Sequence, residues 1–290
     1  VHTLTGADAS NYSPTNQSGV SSSALITVKP LTFSATKVYN GTTSLTGGVT
    51  LTGMLGGQTL NYTDATSNNT NVTTANKYIS ALTLTNGTGL ASNYALPAFS
   101  YDAGKNSVSI TRKSLTVSAS KAYDGTTSLT GDVTLAGMEN SETLNYTGAA
   151  SNNSHVATVN KYISALTLAN GTGLASNYAL PALNYSAVNN NASITAATLT
   201  PTLTNTGVTK SYNGVTSAPN GFTPTWSYGG LASGDSAASV TYGGAVYDNA
   251  NAGTASKITV SGISLTAITG SNSSALTDYA LSATSKDVSA

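Results

Sequence analysis

Short stretches of alternating apolar and polar residues run along the chain, each closed by Gly, Asn, Ser or Pro. Leu115-Thr-Val-Ser-Ala-Ser-Lys-Ala-Tyr123 keeps the period of two that sends successive side chains to opposite faces of a strand. Asp124-Gly125 follows as a turn, because Gly takes positive φ without a steric cost. The same pattern predicts short strands at 133–135, 143–146, 162–168 and 193–195. Turn residues separate such strands by roughly 8–12 residues, the spacing of a sandwich or a small curled sheet. No amphipathic helical period holds for more than about two turns. Residues 68–75 and 152–159 have room for a short helix. The predicted class is all-β.

The pattern also repeats. Residues 31–112 align without a gap with 115–196, and 57 of the 82 positions are identical. A third, diverged copy opens at Lys210-Ser-Tyr-Asn-Gly214, which matches Lys37-Val-Tyr-Asn-Gly41 and Lys121-Ala-Tyr-Asp-Gly125. It closes at Leu276-Thr-Asp-Tyr-Ala-Leu281, the counterpart of the two LASNYAL segments that begin at Leu90 and Leu174. The expected organisation is the tail of a preceding repeat at 1–29, then repeats at 30–112, 113–197 and 198–290. The chain reads as a slice of a longer array. Tandem units that touch only their neighbours predict small β domains, β-grasp-like or sandwich-like, arranged as an elongated rod.

Composition narrows the chemistry. Eleven Lys and Arg balance eleven Asp and Glu, and only 8% of residues are charged. Such a chain lacks the basic patch that nucleic acid or an anionic membrane surface requires. No apolar run reaches the ~18 residues of a membrane span. Neither a nucleic-acid partner nor membrane insertion is expected, and the fragment is expected to be monomeric. Cysteine is absent, which excludes disulfides and thiolate zinc sites. A repeat of 84 residues has a marginal core.

Two motifs recur. K-x-Y-[DN]-G, at Tyr39, Tyr123 and Tyr212 and followed by Thr in the first two, is expected to be a hairpin whose ring anchors the turn while its hydroxyl stays near water. Lys37, Lys121 and Lys210 are expected to lie along the strand with their heads in water. A Lys–Asn isopeptide lock would need a buried Lys, a partner Asn and an adjacent acid, and no acid recurs beside the motif in all three copies. The second motif, Asn-Tyr or Asp-Tyr at Tyr12, Tyr94, Tyr178 and Tyr279, places Tyr at a strand entrance behind a turn-capping Asn or Asp.

Candidate chemistry is otherwise sparse. His2 and His155 are isolated, and Asp64, Asp102, Asp124, Asp132, Glu139 and Glu142 are scattered without a calcium-loop spacing. No nucleophile elbow, P-loop or dinucleotide fingerprint occurs. No catalytic residue, metal ligand or cofactor is therefore expected, and the chain is not read as an enzyme. A platform for carbohydrate or protein would draw on Tyr62, Tyr101, Tyr146, Tyr185, Trp226 and Tyr228. Clustering of these rings on an exposed face would favour binding, and burial would favour a structural role.

Together the motifs resemble the YDG/MBG-type repeats of very large bacterial surface exoproteins. The resemblance rests on K-x-Y-[DN]-G-T, on Gly234-Asp235, on Asn251-Ala-Gly253 leading to Ile258-Thr-Val-Ser-Gly262, and on Leu4-Thr-Gly-Ala-Asp-Ala-Ser-Asn-Tyr12. It covers essentially the whole chain, although the first two copies lack clear Gly-Asp and Asn-Ala-Gly segments. It implies a filamentous-haemagglutinin-like adhesin exported by two-partner secretion to the bacterial surface. The repeats would then form a stalk, and the parent protein would meet carbohydrate or a host or matrix surface. The alternative is that the repeats themselves bind carbohydrate, matrix protein or other adhesin copies.

Overall fold

Alternation along the chain becomes alternation of burial. In a computed structural model that describes residues 5–11 and 25–289, Val117 and Ala119 point into the core from strand Thr116–Ala122 while their neighbours face outward. His2, Tyr12 and Asn16 lie outside the described residues. The strand predicted at 143–146 is longer, Leu144–Ser151, because a bulge lets the chain continue past Gly148 at φ 62°. Asp64 takes the same left-handed conformation at the equivalent bulge in the first repeat, φ 55°. Among the described residues every helix is a single 3-10 turn, and the protein is all-β, built as several small sheets in tandem. Residues 68–75 and 152–159 are loops rather than short helices, for a reason given below.

The chain divides into two units. Unit 1 draws on Val1–Ala35, Ser44–Asn68 and Asn76–Val108. Here residues 32–35 pair antiparallel with Val49–Thr52, and Leu60–Ser67 pairs antiparallel with Ile79–Asn86. Lys29–Pro30 runs parallel to Tyr94–Ala95, and Leu31, Leu60 and Tyr94 close a small core with Leu51, Met54 and Leu84.

Unit 2 comprises Thr36–Thr43, Asn69–Ala75 and Ser109–Ala290. It holds the second and third repeats whole. In the second, Thr116–Ala122 is the centre of a sheet, antiparallel to Val133–Ala136 and parallel to Asn190–Thr195. Leu144–Ser151 and Ile163–Asn170 form a separate hairpin. Both sheets contribute to one core of Val117, Ala119, Leu129, Ala149, Ile163 and Leu166. The third repeat keeps the hairpin as Asp235–Thr241 with Ser264–Gly270. It adds a three-stranded sheet of Gly244–Tyr247, Lys257–Ser261 and Ser285–Ser289 over Leu203, Tyr247, Ile258, Val260 and Ile263.

A fully buried asparagine stands inside each of the two similar cores. Asn190 is fully buried; its Oδ1 accepts from the Ile163 amide at 2.9 Å and its Nδ2 donates to the carbonyls of Ile163 (3.0 Å) and Ala182 (3.2 Å). Asn106 makes the same three bonds in unit 1, to Ile79 and Ala98. The side chain acts as a piece of sheet where the hairpin's first residue lacks a neighbouring strand. Replacing it with Ala strands a buried amide and two carbonyls. Asn190→Ala should cost about 3 kcal/mol, read as a lower midpoint in urea denaturation.

Candidate functional site

Unit 2 gathers the recurring motifs into one kind of joint. Its first component is the Tyr turn. Lys121 Nζ donates to Asp124 Oδ1 (2.6 Å) and to the carbonyls of Thr126 (2.9 Å) and Ser128 (2.7 Å), and Asp124 Oδ1 also accepts from the Thr126 amide. Lys210 does the same with Asn213, Val215 and Ser217, and Lys37 with Asn40 and Thr42. The Asx turn expected from the sequence is therefore present. The lysine head, expected in water, is instead the hub that ties the turn's oxygens together. Gly41, Gly125 and Gly214 all sit at positive φ (70°, 81° and 77°), so only Gly completes the turn without strain.

The turn thrusts its tyrosine outward from its own repeat. Tyr123 is only 3% exposed because its ring meets the third repeat, edge-on to Tyr279 with centroids 5.5 Å apart. The hydroxyl does not stay near water as expected. Tyr279 donates to Asp235 Oδ2 at 2.5 Å, Ser274 donates to the same oxygen at 2.6 Å, and Tyr123 bonds Ser274 Oγ at 2.6 Å. The serine's one proton goes to Asp235, so Tyr123 is the donor to Ser274. The arrangement recurs where the Tyr39 turn sits on the second repeat. Tyr39 is edge-on to Tyr178 at 5.4 Å, and both phenols donate to Glu142 at 2.6 Å. Burial, and then Glu142, push Tyr39 up to about 12, and burial raises Tyr123, Tyr178 and Tyr279.

The second component is the loop that the sequence left room to be helical. Asn153 Oδ1 accepts from the His155 amide (2.7 Å) and the Thr158 hydroxyl (2.8 Å), and this local bonding replaces a helical turn. Lys161 Nζ then donates to the carbonyls of Val156 and Thr158. The loop so held presents His155 and Val156 to Asp278, the residue before Tyr279. Asp278 is 0% exposed: Oδ1 accepts from the Val156 amide (2.7 Å), while Oδ2 meets His155 Nδ1 (2.7 Å) and the Ala275 amide (2.8 Å). Burial alone would raise this carboxyl, but the His155 contact and the two amides outweigh it and hold it below the usual carboxylate range. In the counterpart joint Asn177 accepts from the Val72 amide (2.9 Å) and donates to Asn71 Oδ1 (3.0 Å). An Asn–Asn pair in one joint is a His–Asp pair in the other.

Of the six aromatic candidates, four are half-buried. Tyr62 and Tyr146 accept from the Val49 and Val133 amides of their own repeats. Tyr146, Trp226 and Tyr228 pack against the cores. Tyr101 and Tyr185, equivalent positions 84 apart, are 45% and 44% exposed. Among the acids, Glu142 receives the two phenols, Asp124 serves its own turn, and Asp102 pairs with exposed Lys105 at 3.5 Å. Among the described residues no three His, Cys, Asp or Glu side chains converge as a metal set, and no helix is long and apolar enough to cross a membrane. Sequence reasoning missed Asp235, Asp278 and Ser274. The signal was available: Asp278 replaces Asn177 where His155 replaces Asn71.

Fold and joint together define a tandem-repeat β protein whose shared motifs fasten one repeat to another. A family model of the YDG domain matches residues 24–103, 109–187 and 195–286, and the chain belongs to the YDG-domain family. No match was found among curated proteins or solved structures.

Asp278→Ala should cost about 2–3 kcal/mol, because it leaves the part-buried Val156 and Ala275 amides without their carboxylate acceptor. Asp278→Asn should recover only part of that, since its one amide oxygen can replace the acceptor for Val156 but not also that for Ala275; thermal unfolding of the two variants checks both. The raised tyrosines make the folded state bind protons that the unfolded state has lost. Their contribution is complete below pH 10 and declines as pH rises from the unfolded value of 10 towards about 12. A series of urea midpoints across pH 9 to pH 11.5 should therefore fall, and fall less steeply in Tyr178→Phe.

Proposed function

We propose that this chain is a run of spacer repeats from a secreted bacterial surface protein, holding a binding region away from the cell. The observation that supports the reading is where the shared residues go. The motif common to all copies is buried in joints in two of its three occurrences, with Tyr39 and Tyr123 each 3% exposed, rather than lining a cleft for a ligand. A spacer must transmit load from one repeat to the next without a disulfide, and this chain has no cysteine. Each joint instead combines an edge-on aromatic pair, about 0.5–1.5 kcal/mol, with buried hydrogen bonds to a carboxylate, about 1.5–3 kcal/mol each. On this reading the chain does no chemistry of its own, and the low-charge, hydroxyl-rich surface keeps the repeats from adhering to one another sideways.

The second reading, repeats that bind a ligand directly, is favoured by one observation: Tyr101 and Tyr185 are exposed at the same place in two repeats. A purified chain tested against a panel of glycans and extracellular-matrix proteins separates the two. The spacer reading expects no saturable binding above that of an unrelated tandem stalk of equal length. Saturable binding to one class, abolished by Tyr101→Ala with Tyr185→Ala, would transfer the adhesive role to the repeats.

A further inference from the structure

The joint has a male and a female half, and among the described residues one of each stands without its counterpart. The third repeat carries the male half. Lys210 organises the Tyr turn as in the other copies, yet Tyr212 is 67% exposed. A Cβ on Gly41 would meet Asn140 Nδ2 at 2.1 Å and one on Gly125 would meet Asn272 Nδ2 at 2.5 Å, because another repeat presses on those turns. At Gly214 the nearest atom is the turn's own Tyr212 hydroxyl, 4.0 Å away. Beside the turn stands the loop of the second component. Asn249 Oδ1 accepts from the Asn251 amide at 2.8 Å, the bond that Asn69 and Asn153 make in their loops. This places exposed Asn251 and Ala252 where the other copies place Asn71 with Val72 and His155 with Val156. Tyr212, Asn251 and Ala252 line one groove.

The first repeat, in unit 1, carries the female half. Tyr94 stands where Tyr178 and Tyr279 stand; its hydroxyl accepts from the Leu55 amide at 3.1 Å and donates to Gln58 Oε1 at 2.6 Å. Gln58 occupies the position of Glu142 in the aligned copy. Asn93, the counterpart of buried Asn177 and Asp278, is exposed. Gln58, Asn93 and Tyr94 line a groove rimmed by Leu55, Ile26 and Val28, all exposed apolar side chains.

We propose that these two halves join between molecules, the Tyr212 turn of one chain seating on the Tyr94 groove of a second copy. Every group has its complement. Tyr212 would lie edge-on to Tyr94 and take the free amide hydrogen of Gln58. The Ala252 amide would donate to Asn93 Oδ1, and Asn93 Nδ2 to Asn251 Oδ1, reproducing the bonds of Val72 and Asn71 with Asn177. The contact repeats head to tail, since a chain that uses its groove keeps its turn. It does not depend on the spacer reading, because self-association and binding of a foreign ligand are separately measurable.

Sedimentation velocity of the full chain from about 1 μM to about 1 mM tests it; the range is wide because a joint that works within a tandem chain at about millimolar effective concentration need not be tight between chains. The expected result is a sedimentation coefficient that rises with concentration. Tyr212→Ala and Asn93→Ala should each weaken association by more than about tenfold. Tyr212 and Asn93 are exposed, so neither change threatens folding. The double variant Asn93→Asp with Asn251→His should keep association, because it installs the His–Asp pairing of the other joint. A coefficient independent of concentration for the wild-type chain overturns the proposal. So does association that persists unchanged in Tyr212→Ala, which would place the contact elsewhere, or a double variant no better than Asn93→Ala.

Discussion

A phenol can be buried only if its hydroxyl finds an acceptor, and for Tyr39 and Tyr123, the two buried turn tyrosines of unit 2, the acceptor lies in another repeat. Tyr123 reaches Asp235 through Ser274, and Tyr39 reaches Glu142 directly. The ring supplies apolar area, the hydroxyl fixes direction, and the carboxylate makes the bond strong enough to offset desolvation. The lysine hub and the positive-φ glycine serve this arrangement: they hold the tyrosine at the tip of a turn too short to hold it otherwise. Remove the acceptor and the motif has no reason to be rigid.

The same logic explains why the repeats manage without disulfides. A domain of this size buries little apolar surface for its length, and the cores of the first two repeats are a handful of apolar side chains closed by an asparagine that substitutes for missing sheet. Coupling such a domain to its neighbour adds buried contacts without enlarging its own core. The polar residues are thus structural in a protein with few charges to spend on anything else. Membership of the YDG-domain family accounts for the recurrence of the motif, and the joint accounts for why this motif recurs.

Much of the fold was legible in the sequence. The strands read at 115–123 and 133–135, which the structure forms as Thr116–Ala122 and Val133–Ala136, the Asx turns and the repeat itself follow from alternation, Gly placement and self-alignment. The loops at 68–75 and 152–159, where the sequence leaves room for a short helix, are not helical because Asn69 and Asn153 satisfy local amides through their side chains, which composition does not reveal. The fate of Tyr123 and Lys121 is hidden for a different reason. A residue shared by every copy was assumed to serve its own repeat, whereas Tyr123 completes the next one. Only long-range partners such as Asp235 and Ser274, more than a hundred residues away in sequence, disclose that.

Near-identical neighbours in one chain invite mispairing, since a segment of one repeat can fold into the place of its twin. The first two repeats, alike at 57 of 82 positions, are open to that error. Their joints, however, are spelled differently. Asn71 answers an amide at Asn177, whereas His155 answers a carboxylate at Asp278. A swapped loop would set His155 against Asn177, or Asn71 against Asp278, and forfeit the His–Asp contact in both places. The exchange of Asn71 for His155, one of four differences between the loops at 68–75 and 152–159, thus works as an address label, telling each repeat which neighbour is its own.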